Sequence, residues 1–237
     1  IDSVASSYAG GDQSFQIERR GEVYSFGDSE LNVFTGQVTN MYRLFMRTNF
    51  NGDIGYWDVS NVSNMRAVFR DNSVFNQDIG DWDLSSATRT YNMFYNATAF
   101  NQDIGSWDVS NVTDMRDMFE NALSFNADIG PWDVSSVTVM DSMFRSANSF
   151  NQDIGSWDVS NVVDMNGMFE DNADFDQYIG GWDVSNVTDM DFMFQSANSF
   201  NQDLSGWCVS QINSRPDDFD LSAPVWIEPK PDWGNCP

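Results

Sequence analysis

The sequence predicts an α/β repeat solenoid, with one short strand and one short helix in each 25-residue coil and a cap at both ends. Three observations predict it. Phe50, Phe75, Phe100, Phe125, Phe150, Phe175 and Phe200 recur every 25 residues, and a gapless fixed period in this range marks supersecondary units stacked on one another. Within a copy such as residues 100–124, Trp107 and Val109 alternate with Asp108 and Ser110, the period of a half-buried strand. Val112, Met115, Met118, Phe119 and Ala122 then fall on a single stripe at helical spacing.

In chain order, residues 1–25 read as an N-terminal leader and cap hairpin. Residues 1–13, rich in Ser, Gly and Ala, suit a flexible leader, and residues 14–25 suit two short strands around Arg20 and Gly21. The solenoid follows over residues 26–212 as seven to eight repeats. A worn first copy places Phe26, Val38, Met41 and Phe45 at the offsets of Phe100, Val112, Met115 and Phe119, one residue short of register. The spacing of Ile104, Trp107, Val109 and Val112 is that of a leucine-rich repeat with Trp and Val in place of Leu, so each coil is expected to be right-handed and leucine-rich-repeat-like. Ten of the twelve methionines share two offsets, led by Met115 and Met118, and belong to the core. Residues 213–237 form the C-terminal cap: Pro216 breaks the expected helix, and Trp226 and Trp233 cover the last coil.

The net charge is −25, from 36 acidic and 11 basic residues. Such a surface repels nucleic-acid phosphates and anionic lipid headgroups, and it attracts cations. No apolar run is long enough to cross a membrane, and no signal-like segment is visible. Cys208 and Cys236 are the only cysteines. A disulfide fastening the tail to the last coil is the economical reading, against two unrelated buried thiols, and it implies an extracytoplasmic setting.

Three polar columns recur. Asn51, Asn76, Asn101, Asn126, Asn151 and Asn201, with Asp176 in the remaining place, are expected to form an inward ladder that pairs loop backbone groups. The Asp53, Asp78, Asp103, Asp128, Asp153 and Asp203 column, broken by Tyr178, lies in a turn and builds it. The third column, Asp58, Asp83, Asp108, Asp133, Asp158 and Asp183, points outward if Trp107 points in. At about 5 Å spacing each neighbouring pair costs roughly 1–3 kcal/mol, which local N–H donors, cations or a cationic partner must offset. Oxygen-only ligands select a hard ion such as Ca²⁺. The dense spacing of a dedicated calcium loop is missing, so no metal site is assigned and the column stands as a partner-facing acidic ladder.

Catalysis is not expected. Histidine is missing, which excludes His-based nucleophilic and zinc sites, and the acids that break the repeat, Glu120 and Glu170, fall on the expected helix face. Sequons stand at Asn61, Asn96, Asn111 and Asn186. Ser63, Thr88, Thr113, Thr138 and Thr188 share an offset, interrupted by Val163, which raises ice or mineral-surface binding as a weaker alternative.

The phrase FNQDIGSWDVSNVTDMRDMFENA, and the ending with its two cysteines, resemble the BspA-like leucine-rich-repeat surface proteins over residues 26–212 and the C-terminal closure. The resemblance implies cell-surface display and adhesion and supplies no catalytic residues. The expected function is therefore a non-catalytic, extracellular or surface-displayed protein mediating adhesion or recognition. Its partner would be a surface glycan, a protein or neighbouring copies of itself, with neither nucleic-acid binding nor membrane insertion. The alternative is a structural subunit of a filament or surface layer that assembles through its ends.

Overall fold

The computed structural model describes residues 38–237 throughout and, ahead of them, the backbone of three strands. These are β1 (Ser3–Ala9), β2 (Asp12–Arg19) and β3 (Glu22–Phe26), an antiparallel sheet in the order β1-β2-β3. β2 and β3 are the expected hairpin strands, although the Arg20-Gly21 turn between them lies outside the described residues. The expected flexible leader contains β1, paired with β2 from Ser3 against Glu18 to Ala9 against Asp12. The start of the worn copy at residues 27–37 also lies outside the described residues.

The repeats stack as coils, but the predicted strand and helix in each coil do not form. Among the described residues there is no helix, and the coils contribute only isolated parallel bridges, from Asn40–Asn64 through Arg89, Asp114, Val139 and Asp164 to Asp189. The stripe read as a helix is instead a run of turns whose N–H groups alternate between two destinations. Met115, Asp117, Phe119 and Asn121 donate to the carbonyls of Val139, Asp141, Met143 and Arg145 in the next coil at 2.8–3.0 Å. Met118, Glu120 and Ala122 donate back within the coil to Met115, Asp117 and Phe119 at 3.0–3.3 Å. An α-helix would spend every N–H inside one coil. Here every second one joins neighbouring coils, so the stack itself supplies the ladder.

That alternation needs a left-handed residue at two places per coil, Asp117 and Asn121 in this copy, with φ of 52° and 56°. The equivalent positions hold Ala67 and Asp71, Asn92 and Asn96, Ser142 and Ser146, Gly167 and Asp171, and Phe192 and Ser196. Asn, Asp and Gly tolerate this region best, and a helix gives them little advantage. The expected strand also dissolves into turns. Trp107 and Val109 are buried and Asp108 exposed, as alternation predicts, yet Trp107 N–H donates to Ile104 and Val112 N–H to Val109.

Burial follows the sequence columns closely. Ile104, Trp107, Val109, Val112, Met115, Met118, Phe119, Ala122 and their equivalents form one continuous core. Two phenylalanines per coil stack as a pair, Phe119 on Phe125 at 3.9 Å, and each pair meets the next, Phe125 to Phe150 at 5.8 Å. From Trp82 to Trp207 the indole N–H of each repeat crosses to an earlier coil, as Trp107 Nε1 does to the Ile79 carbonyl at 3.0 Å. Where most copies carry Ala122 or its equivalent, Asn72 and Asn172 are fully buried, and Asn72 donates to the Phe50 carbonyl at 2.8 Å.

The glycine of each Asp-Ile-Gly turn sets how closely coils approach. A Cβ on Gly130 would lie 2.6 Å from the Asp153 carbonyl oxygen of the following coil. At the C-terminal end the aromatic columns stop on Trp226, set edge-on to Phe200 at 4.8 Å, and on Trp233, edge-on to Phe219 at 4.9 Å. Pro216 is buried, two residues after which the last pair of left-handed turns begins at Asp218, so it ends no helix. A disulfide joins Cys208 to Cys236 across this cap.

Candidate functional site

The outward aspartate column is exposed at every coil, and each member is built the same way. Asp58, Asp83, Asp108, Asp133, Asp158 and Asp183 accept through Oδ1 the N–H of the serine two residues on, at 2.9–3.1 Å. The Ser60 and Ser110 hydroxyls add a second donation at 2.6 Å. The serine hydroxyl first, and its N–H second, hold the carboxyls of Asp58, Asp83, Asp133 and Asp183 below the usual range, so they are ionised at neutral pH. Oδ1 is thus committed to a turn, whereas Oδ2 has no hydrogen bond to the described residues and faces solvent.

The other repeated polar columns are structural. Asp103 caps Gly105 N–H at 3.1 Å, and its equivalents do the same up to Asp203 on Ser205. The asparagine ladder is not inward as expected: Asn51, Asn76, Asn101 and Asn126 are exposed. It still joins coils, since Asn76 Oδ1 accepts from the Asn101 N–H at 2.9 Å and from Gln102 Nε2 at 2.8 Å. Thr88, Thr138 and Thr188 donate their hydroxyls to a carbonyl of the preceding coil at 3.0–3.2 Å. The sequon amides of Asn111 and Asn186 are engaged in the same way, with Ser85 and Ser160.

A second surface, which repeat reading passes over, lies on the turn segments, where the sequence changes from coil to coil. Its early coils carry Tyr42, Arg43, Arg66, Arg70, Tyr91 and Tyr95. The Arg66 guanidinium sits between two rings, 4.8 Å from Tyr42 and 4.5 Å from Tyr91, and Arg70 lies 4.3 Å over Tyr95. Its later coils carry carboxylates. Burial pushes Asp141, Asp164 and Glu170 above the usual range, although Arg145 holds Glu170 at 3.0 Å. Glu120 is pushed up to about 7, first by burial and then by its hydrogen bond and charge repulsion with Asp117. Glu120 and Glu170 therefore stand on a turn face and not on a helix, and Arg145 lies beside both. The signal for this face was available in the sequence: these are the columns that do not repeat.

An open cavity of about 420 Å³ lies where the repeat ends, lined by Asp189, Asp191, Asn213, Arg215 and Asp217 among others. Among the described residues, no three Asp, Glu, Cys or His side chains converge as metal ligands would, in the Asp58 column or elsewhere. No helix among them is long and apolar enough to cross a membrane. The disulfide is compatible with an extracellular or cell-surface location.

No curated protein and no solved structure matches the chain. One family, described as Mycoplasma protein of unknown function, DUF285, matches twice, over residues 25–130 and residues 123–224. The two matched blocks adjoin and together take in the stacked coils, and the chain therefore belongs to this family of repeat proteins.

Proposed function

We propose that the chain is a non-catalytic, extracellular or surface-displayed repeat protein that mediates adhesion or recognition, with the aspartate column as its contact row. The observation that carries this reading is the repetition of one exposed carboxylate pose. Asp58, Asp83, Asp108, Asp133, Asp158 and Asp183 are each fixed through Oδ1 and open at Oδ2. A fixed row loses little entropy on binding and suits a partner with regularly spaced cationic groups, or a glycan reached through a cation. The kinship to BspA-like surface proteins belongs to this proposal and rests on the repeat phrase alone, independent of any leucine-rich-repeat geometry.

The test replaces Asp108, Asp133 and Asp158 together by Asn. An Asn side-chain oxygen still accepts the serine N–H, so the turns survive while the charges go. Retention of the full chain is measured on an amine-bearing surface and on a panel of immobilised glycans, with and without Ca²⁺. The expected result is retention by the native chain and at least about a tenfold loss in the triple variant. Equal retention of both chains on every surface overturns the contact-row assignment.

A further inference from the structure

We propose that two copies of this chain pair face to face and antiparallel through their turn segments, so that the arginines of the early coils meet the carboxylates of the late coils. The first ground is an imbalance. The chain has 36 acidic residues for 11 basic ones, yet Arg43, Arg66 and Arg89 have no ion-pair partner among the described residues. Both faces of the Arg66 guanidinium are covered by tyrosine rings, which leaves its edge donors for an anion.

The second ground lies at the other end of the same face. Asp141, Asp164, Asp189 and Asp191 also lack an ion-pair partner among the described residues. Burial raises Asp141 and Asp164 and outweighs the opposing pull of the Arg116 charge, so they are partly desolvated with only part of that cost offset inside the chain.

The third ground is register. Arg66, Arg116, Asp141 and Asp191 occupy one column, at intervals that are multiples of 25 residues. Arg89 and Asp164 share the bridge column. A two-fold axis running across the stack between the coils of Phe100 and Phe125 keeps each column against itself and reverses the order of coils. It sets Arg66 against Asp191 of the second copy, Arg116 against Asp141, and Arg89 against Asp164. In the neighbouring column it sets Glu120 against Arg145. Arg43 and Asp218, equivalent left-handed positions in the first and last coils with φ of 60° and 49°, meet at the edges.

Both partners have the same coil spacing, so every rung matches once one does. A parallel pairing would instead set Arg66 on Arg66 and Asp191 on Asp191, and like charges in contact cost several kcal/mol. The antiparallel contact is isologous and closes as a dimer, unlike the end-to-end filament.

The experiment is sedimentation velocity on the full chain over a micromolar concentration series. At about 0.15 M salt, charge repulsion beyond about 8 Å is screened while contact pairs persist, and at about 1 M salt the contact pairs weaken too. The expected result is a dimer at the lower salt that dissociates at the higher. Arg66→Asp should raise the dissociation constant at least about tenfold, because symmetry removes two pairs at once. The double variant Arg66→Asp/Asp191→Arg should restore it, with near-ultraviolet circular dichroism confirming the fold of each chain. A chain that stays monomeric overturns the proposal, as does a dimer indifferent to Arg66→Asp. Failure of the double variant to recover overturns the antiparallel register. None of these outcomes depends on the Asp58 column, whose own test reads retention on surfaces.

Discussion

Replacing Glu120 by Gln should stabilise the protein at high pH and leave it unchanged at low pH. Glu120 is held near pKa 7 by burial and by Asp117, against an ordinary 4.5. Its folded-state pKa is raised, so the folded chain binds more protons than the unfolded chain between those values. Stability therefore falls as pH rises through that window, and the full cost is present above about pH 7. Unscreened, the gap corresponds to about 3 kcal/mol. The carboxyl is only half-buried, and solvent screening reduces this to roughly 1–2 kcal/mol. Gln keeps a donor for the Asp117 carboxylate and carries no charge, so it removes the penalty and preserves the contact.

The assay is thermal unfolding of both chains at pH 4 and pH 8.5, in about 0.5 M salt so that pairing with the second copy's Arg145 is weakened. For a chain of this size the expected gain at pH 8.5 is about 3–6 °C, with no difference at pH 4. An equal shift at both pH values, or a less stable variant at pH 8.5, refutes the assignment of the proton to this site.

Two further predictions concern how the coils hold together. Gly130→Ala forces its Cβ into the Asp153 carbonyl, 2.6 Å away, so the adjacent coils must separate. We expect a loss of about 1–3 kcal/mol in chemical denaturation, whereas no loss would show that coil spacing is not set there. Reducing the disulfide between Cys208 and Cys236, 28 positions apart, releases the cap at a cost of about 3–4 kcal/mol by loop entropy. In a stack with only neighbour contacts, that loss should appear in hydrogen exchange as faster opening of residues 200–237 and little change near Phe100. Uniform acceleration along the chain would contradict it.

The sequence revealed burial far better than backbone. Val112, Met115, Met118, Phe119 and Ala122 fall on one apolar stripe in the sequence, and all five are fully buried. Their spacing is shared by a helix and by a chain of turns, because either returns to the core about every third or fourth residue. What separates the two is the pair of left-handed positions in each coil, filled by short polar residues such as Asp117 and Asn121 in most copies, though by Ala67 and Phe192 in two others. Those residues were legible, but a period-based reading treats them as solvent-facing helix positions. The strand failed for a related reason: alternation of Trp107 and Val109 with Asp108 reports which side chains turn inward, while a strand also requires a ladder. Here the serine N–H that would extend one is spent on Asp108 itself.

The same distinction bears on function. A column that repeats without change has first to satisfy something every coil needs, and Asp58, Asp53 and Asn51 each do so through a specific backbone N–H. Repetition alone therefore says little about a partner, and room for one is left by the second carboxylate oxygen, Oδ2, which the Asp58 column and the Asp53 column alike leave without a hydrogen bond to the described residues. The charges of Arg66, Arg89, Asp164 and Asp191 meet no requirement that recurs in every coil, since other coils fill the same places with Tyr, Val or Asn. Asp164 and Asp191 each accept one backbone N–H, from Asn166 and Asp217. An uncharged Asn oxygen does so equally at Asn64, so the ordering of charge along the stack, cationic then anionic, is not dictated by the turns. An antiparallel dimer uses that ordering and leaves both Asp58 columns outside the set of paired residues. Two fixed rows on one particle raise the effective concentration of the second contact to about the millimolar range once the first has formed. Weak, screened carboxylate contacts, individually worth about 0–1 kcal/mol, then add along and across rows. On the adhesion reading proposed above, that is the physical route by which so acidic a repeat protein would hold a surface.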